Sequence, residues 1–232
     1  MRTKTLLAAA AAFTLSLAAS QATPIFSANV VGYVSTPLTA STLTVISPCL
    51  DVDGTGTNNT VTTVFPAPTS GDVMFVFNGA GYDTLNYGQP RGGSLGWYLN
   101  GSLVNNYPLN PGVSVFYLPF ANGTNTQVGT VLQATNLVNP YVASAGNISL
   151  VASMAPLAGG VTTVLQYQPT SGDVIFFYNG IGYDTYNYGQ PRGGSLGWYL
   201  NGALTEPVIP IAGGFWLQPY ATTTWTQDFI VQ

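Results

Sequence analysis

The chain has 232 residues, with four Lys or Arg against eight Asp or Glu and no histidine. Charged residues make up only 5% of it, far below the roughly 25% of an ordinary soluble domain, so the basic footprint that phosphate backbones require is missing. Nucleic acid is therefore excluded as a partner, anionic membrane surfaces are disfavoured, and histidine-based catalysis or a His/Cys zinc centre has no residues to use.

Residues 1–22 read as a secretory signal peptide. Arg2 and Lys4 form the basic start, Leu6 to Ala19 the apolar stretch, and Ser20-Gln21-Ala22 a small-x-small cleavage site. The apolar run is shorter than the roughly 20 residues needed to cross a bilayer, and no later run reaches that length. The expected product is exported without membrane insertion, to the extracellular space, cell surface or periplasm. Cleavage leaves Arg91 and Arg192 as the two cations against eight acids, a net charge of −6. A surface of Asn, Thr, Ser, Gln and Gly repels its like weakly and is free to self-associate or to lie against a polymer.

Cys49 is the one cysteine. It has no internal disulfide partner and is expected to be a small buried hydrophobe. Asp51-Val52-Asp53-Gly54-Thr55-Gly56-Thr57-Asn58 follows, with oxygen-bearing side chains at alternate positions, as in calcium loops. It lacks a closing Glu, so a turn-rich loop is the preferred reading and no metal ligand is assigned. Val61, Val64 and Phe65 have the spacing of one helical turn stopped at Pro66, although β-branched residues oppose a helix. From there the signals are β. Val73 to Phe77 is apolar on both faces and reads as a central strand, and Asn78-Gly79 as a hairpin turn. The chain returns through Gly81 to Tyr87. Trp97-Tyr98-Leu99 is a strand closed by Asn100-Gly101, and Val113, Val115 and Tyr117 alternate as another.

The chain then repeats itself. Gly81 to Gly101 returns as Gly182 to Gly202 with one difference, Leu85 against Tyr186. Pro68-Thr69-Ser70-Gly71-Asp72-Val73 returns at Pro169 to Val174, and Val61-Thr62-Thr63-Val64 at Val161 to Val164. Further on, Thr126-Gln127 returns at Thr226-Gln227. The fold class expected is all-β: two tandem homologous units, sandwich or barrel-like, over 23–133 and 134–232, packed together with almost no linker.

The opening Ser27 to Val34, the segment Asp53 to Pro66, the Phe77-Asn78-Gly79-Ala80-Gly81-Tyr82-Asp83 hairpin, the following Trp97 and the stretch Leu109 to Pro119 resemble a functionally uncharacterised family of secreted proteins from Verrucomicrobia and related bacteria. The resemblance covers one whole unit and fits the second more loosely. It implies a secreted, β-rich module and supplies no catalytic residue. The Gly88 to Gly96 loop is not among the features that carry it.

That loop holds one cation, Arg91, without the sequence context of a phosphate-binding loop. The plain expectation is an Arg91 ion pair with Asp72 or Asp83, repeated as Arg192 with Asp173 or Asp184. The sharper one is a ligand site. Tyr82, Tyr87, Trp97 and Tyr98, and Tyr183, Tyr186, Tyr188, Trp198 and Tyr199, gather near the loop, and flat rings beside polar groups suit sugars. The candidate ligand-binding residues are Arg91, Trp97, Tyr98, Arg192, Trp198 and Tyr199. No catalytic residue and no cofactor is assigned, since Asp72 with Asp83 is the sole repeated carboxylate pair. The leading expectation is a non-enzymatic structural protein of the cell surface or matrix that associates with itself or with wall polysaccharide. The alternative is a carbohydrate-binding protein.

Overall fold

The computed structural model describes residues 30–231; the signal-peptide segment lies outside the described residues. The first copy of the repeat runs β1 (Val31–Leu38), β2 (Thr44–Ile46), α1 (Val61–Val64), β3 (Val73–Phe77), β4 (Tyr82–Gly88), β5 (Gly96–Leu99), β6 (Ser102–Leu103), β7 (Val115–Leu118) and β8 (Gly123–Thr130). The second runs β9 (Ala134–Val138), β10 (Ser149–Val151), β11 (Gly159–Gly160), β12 (Val174–Tyr178), β13 (Tyr183–Gly189), β14 (Gly197–Leu200), β15 (Ala203–Leu204), β16 (Val208–Ile209), β17 (Phe215–Gln218) and β18 (Thr226–Phe229). The described residues are all-β apart from one helical turn.

Each copy contributes a six-stranded antiparallel sheet, ordered β2-β7-β3-β4-β5-β6 in the first and β10-β17-β12-β13-β14-β15 in the second. First and last strands pair as ribbons, β1 with β8 and β9 with β18. Strand periodicity explains why the sheet centres are apolar on both faces. In β3, Met74 and Val76 enter one core with Ile46, Leu85, Trp97, Val115 and Tyr117. Phe75 and Phe77 point the other way and meet Phe116, Leu150, Trp216, Phe176 and Tyr178. Ile175, Phe215 and Leu217 line the matching core of the second sheet.

The two sheets therefore face one another across an aromatic seam, and the contacts are reciprocal. Phe77 meets Trp216 edge-on at 4.8 Å, and Tyr178 meets Phe116 edge-on at 5.6 Å, with each residue of one pair the repeat equivalent of one in the other. Backbone bonds obey the same exchange: Ser47 N–H donates to Ala212 C=O at 2.8 Å and Ala152 N–H to Gly112 C=O at 3.0 Å. Ser114 lies against its own equivalent, Gly214, whose missing side chain leaves room for the serine hydroxyl. A pseudo-two-fold axis passes between these two positions.

Turn chemistry separates two hairpins that look alike in sequence. Asn100-Gly101 is a two-residue turn with φ of 50° and 81°. Asn78-Gly79 instead opens a loop closed by Asn78 N–H to Gly81 C=O at 3.0 Å. There the Asn78 side-chain oxygen accepts the N–H groups of Ala80 and Gly81, so only Gly79 takes positive φ. The Val61–Val64 turn forms as expected, with Thr60 N–H bonded to Thr63 Oγ1 at 2.8 Å. In the second copy, 161–164 is a turn held by Glu206, which accepts Thr162 N–H at 2.6 Å and Thr163 N–H at 2.8 Å.

Candidate functional site

The duplicated loops pin themselves from within. Gln89 Nε2 donates to Gly93 C=O at 3.1 Å, Gly93 N–H to Pro90 C=O at 2.8 Å, and Tyr98 OH to Ser94 C=O at 2.7 Å. Gln190, Gly194 and Tyr199 repeat these bonds at 3.1, 2.8 and 2.6 Å. The Tyr98 and Tyr199 hydroxyls are thus spent on the loop, and their rings are half-buried. Arg91 and Arg192 stand exposed at the tips.

The expected Arg–Asp pairs do not form among the described residues; Asp72, Asp83, Asp173 and Asp184 each accept from other donors. Asp72 is buried at 3% exposure. Its Oδ2 accepts Thr69 N–H at 2.7 Å and the Tyr117 hydroxyl, and its Oδ1 accepts Phe120 N–H at 2.7 Å. Asp173 accepts Thr170 N–H and Tyr167 OH at 2.8 Å each and Tyr220 N–H at 2.7 Å. Asp83 accepts from Asn78 Nδ2 at 2.9 Å and Tyr107 OH at 2.7 Å. Asp72 and Asp83 sit at opposite ends of the β3–β4 ladder and share no cleft.

Trp97 and Trp198 are core residues, exposed by 0% and 3%. Trp97 packs on Tyr87 at 5.2 Å and on Phe65 and Tyr117, while Trp198 packs on Tyr188 at 5.1 Å. Neither ring is available to stack on a sugar without opening its core. Cys49 is buried as expected, and burial pushes its thiol up to about 12, so it is inert at neutral pH.

The open aromatic rings lie elsewhere. Tyr82, Tyr183, Phe176, Ile148 and Trp216 border a cleft of about 270 Å³ where the seam between the sheets reaches solvent. Tyr82 and Tyr183 are 46% and 49% exposed and are repeat equivalents. Both belong to the aromatic groups read from the sequence, but the site assignment passed over them. Their place just after a hairpin loop, at a strand's first residue, was the available signal. A second cleft, of about 280 Å³, lies between Thr42–Val45 and the Phe177, Pro210 and Gly214 side.

Burial, with the hydrogen bond to a carboxylate as the second cause, holds the Tyr117 and Tyr167 phenols far above the ordinary value of 10.0. A raised folded-state value means the stabilisation is complete below about pH 10 and is lost as pH climbs past it. In an alkaline titration, unfolding followed by circular dichroism should begin only above about pH 10. The tyrosinate absorbance of these two residues should appear together with unfolding and not before it.

Among the described residues no helix is long and apolar enough to cross a membrane. No family model, curated protein or solved structure matches the chain.

Proposed function

We propose that the protein is a non-enzymatic exported structural protein, built as two tandem copies of one β module, that associates with itself or with wall polymer. One observation carries the reading: the residues most faithfully duplicated are used to build the fold. Trp97 and Trp198 fill cores, Asp72 and Asp173 bind backbone donors, and the loop hydroxyls tie the loops. What faces outward is poor in charge, with charged residues only 5% of the chain. The outer edges of the two sheets end in β6 and β15, where Leu103 and Leu204 are 47% and 60% exposed and no charge stands within the strand. A strand edge without charge offers its backbone groups for pairing with another chain.

Sedimentation velocity over a wide concentration range tests this. The wild type should associate, and Leu103→Lys with Leu204→Lys should suppress association while leaving the unfolding free energy within about 0.5 kcal/mol of the wild type. A wild type that stays monomeric throughout and is not retained by cell-wall polysaccharide would sink the proposal.

A second reading, carbohydrate binding, is supported by the Tyr82–Tyr183 cleft, since exposed paired rings over an apolar floor suit the CH face of a pyranose. The double replacement of Tyr82 and Tyr183 by Ala should abolish polysaccharide pull-down with the cores intact. Retention by that variant would remove this reading.

A further inference from the structure

The loop from Asp51 to Asn58 belongs to the first copy alone. Ser47 and Ala152 make equivalent backbone bonds, as do the strands before them, yet the first copy takes five more residues to reach Val61 than the second takes to reach Val161. The second copy closes a comparable core without this insertion, so the fold of the module does not require it.

The inserted segment contains an electrostatic anomaly. Asp51 is 0% exposed. Its backbone is locked to Thr130 by bonds of 2.8 and 2.6 Å. Its Oδ2 accepts Asp53 N–H at 3.2 Å, which turns the carboxyl group into the loop, while Oδ1 is buried and meets no donor. A buried carboxylate oxygen without a donor is unfavourable unless something positive faces it. The Asp53 side chain lies within reach of it, so a cation facing Asp51 would meet two carboxyl groups. The described residues hold two cations, Arg91 and Arg192, and both stand exposed on the duplicated loops.

The rest of the lining is oxygen-rich. Asp53 accepts Thr55 Oγ1 at 2.7 Å and Asn58 Nδ2 at 2.6 Å, and the Thr55 and Thr57 hydroxyls are 3.2 Å apart. Gly54 and Gly56, at φ of 83° and 79°, curl the chain around these groups. No three acids or thiols gather as metal ligands among the described residues, so a nitrogen- or sulfur-seeking metal has no site. Two hard carboxylates with neutral hydroxyl, amide and carbonyl oxygens suit calcium, which accepts irregular oxygen shells, better than magnesium, which demands a near-octahedral one.

We infer that the Asp51–Asn58 loop binds a calcium ion through the carboxylates of Asp51 and Asp53, with the Asn58 and threonine oxygens and water completing the shell. Its charge count places it among the weak sites, with Kd on the order of 10⁻⁴–10⁻³ M. The inference is independent of whether the protein assembles or binds glycans.

The test is thermal unfolding of the whole protein in millimolar calcium chloride, in millimolar magnesium chloride and in EDTA. Calcium should raise Tm by about 3–6 °C over EDTA, and magnesium much less. Asp53→Asn should abolish the rise while leaving Tm in EDTA nearly unchanged, because Asp53 is exposed and the folded core does not depend on it. Equal Tm in calcium and EDTA overturns the inference, as does a rise that survives Asp53→Asn.

Discussion

Asp72→Ala is expected to destabilise the protein by about 3–5 kcal/mol, read as a lower urea midpoint at unchanged m-value. The carboxylate does the work of a turn closure and a strand lock together. It holds Thr69 N–H before β3, Phe120 N–H after β7, and the Tyr117 hydroxyl between them. Truncation strands two backbone donors and a phenol in a site 3% exposed, and each stranded donor costs about 1–3 kcal/mol. Asparagine does not rescue it. Donors approach both carboxylate oxygens, so the amide NH₂ would face one of them whichever way it turned. Asp173→Ala should cost a similar amount, through Thr170, Tyr167 and Tyr220. Arg91→Ala, by contrast, should move stability by no more than about 0.5 kcal/mol. A near-neutral Asp72→Asn, or a costly Arg91→Ala, would contradict this assignment of partners.

Trp97→Ala should cost about 3–5 kcal/mol, since it empties the largest fully buried side chain of the first core. The conservative change separates the two copies. Trp97 Nε1 is buried without an acceptor, whereas Trp198 Nε1 donates to Thr162 Oγ1 at 3.0 Å. Trp97→Phe removes an unsatisfied donor along with some volume, while Trp198→Phe removes a made bond. Denaturant unfolding should therefore show Trp97→Phe as the milder of the two. The reverse order would mean that the two rings are not held as described. Loss of polysaccharide retention in either alanine variant would report unfolding, which is why Tyr82 and Tyr183 are the better probes of glycan contact.

The legible part of this chain was its strand content and its repetition. Apolar runs placed β3, β5 and β7, and the repeat placed β12 and β14; an apolar pattern on both faces of β3 marked a central strand. That pattern has a specific cause here: one face fills the sheet's own core and the other the aromatic seam. The sequence cannot separate those two destinations, because both select large apolar side chains. The Arg–Asp pairing was misjudged for a related reason. Asp72 lies near Arg91 along the chain, but its donors come from Thr69, Tyr117 and Phe120, and two of those are backbone groups that leave no trace in composition. Trp97 was read as a ring beside a polar loop, although its strand register sends it inward. Side-chain hydrogen bonding to the backbone also decided the Asn78 loop, where a two-residue turn was expected and the asparagine oxygen closed a longer one.

The axis between Ser114 and Gly214 has an evolutionary consequence. In an assembly of two identical chains, any residue on the dyad must tolerate a copy of itself, and a substitution there arrives twice. Fusing both halves into one polypeptide lifts that rule. A hydroxyl can occupy one side and nothing the other, and the tyrosine that serves the buried aspartate can sit at position 117 in one half and at 167 in the other. A fused pair thus lets a symmetric shape carry asymmetric chemistry, and the inserted loop at Asp51 is one place where the halves differ.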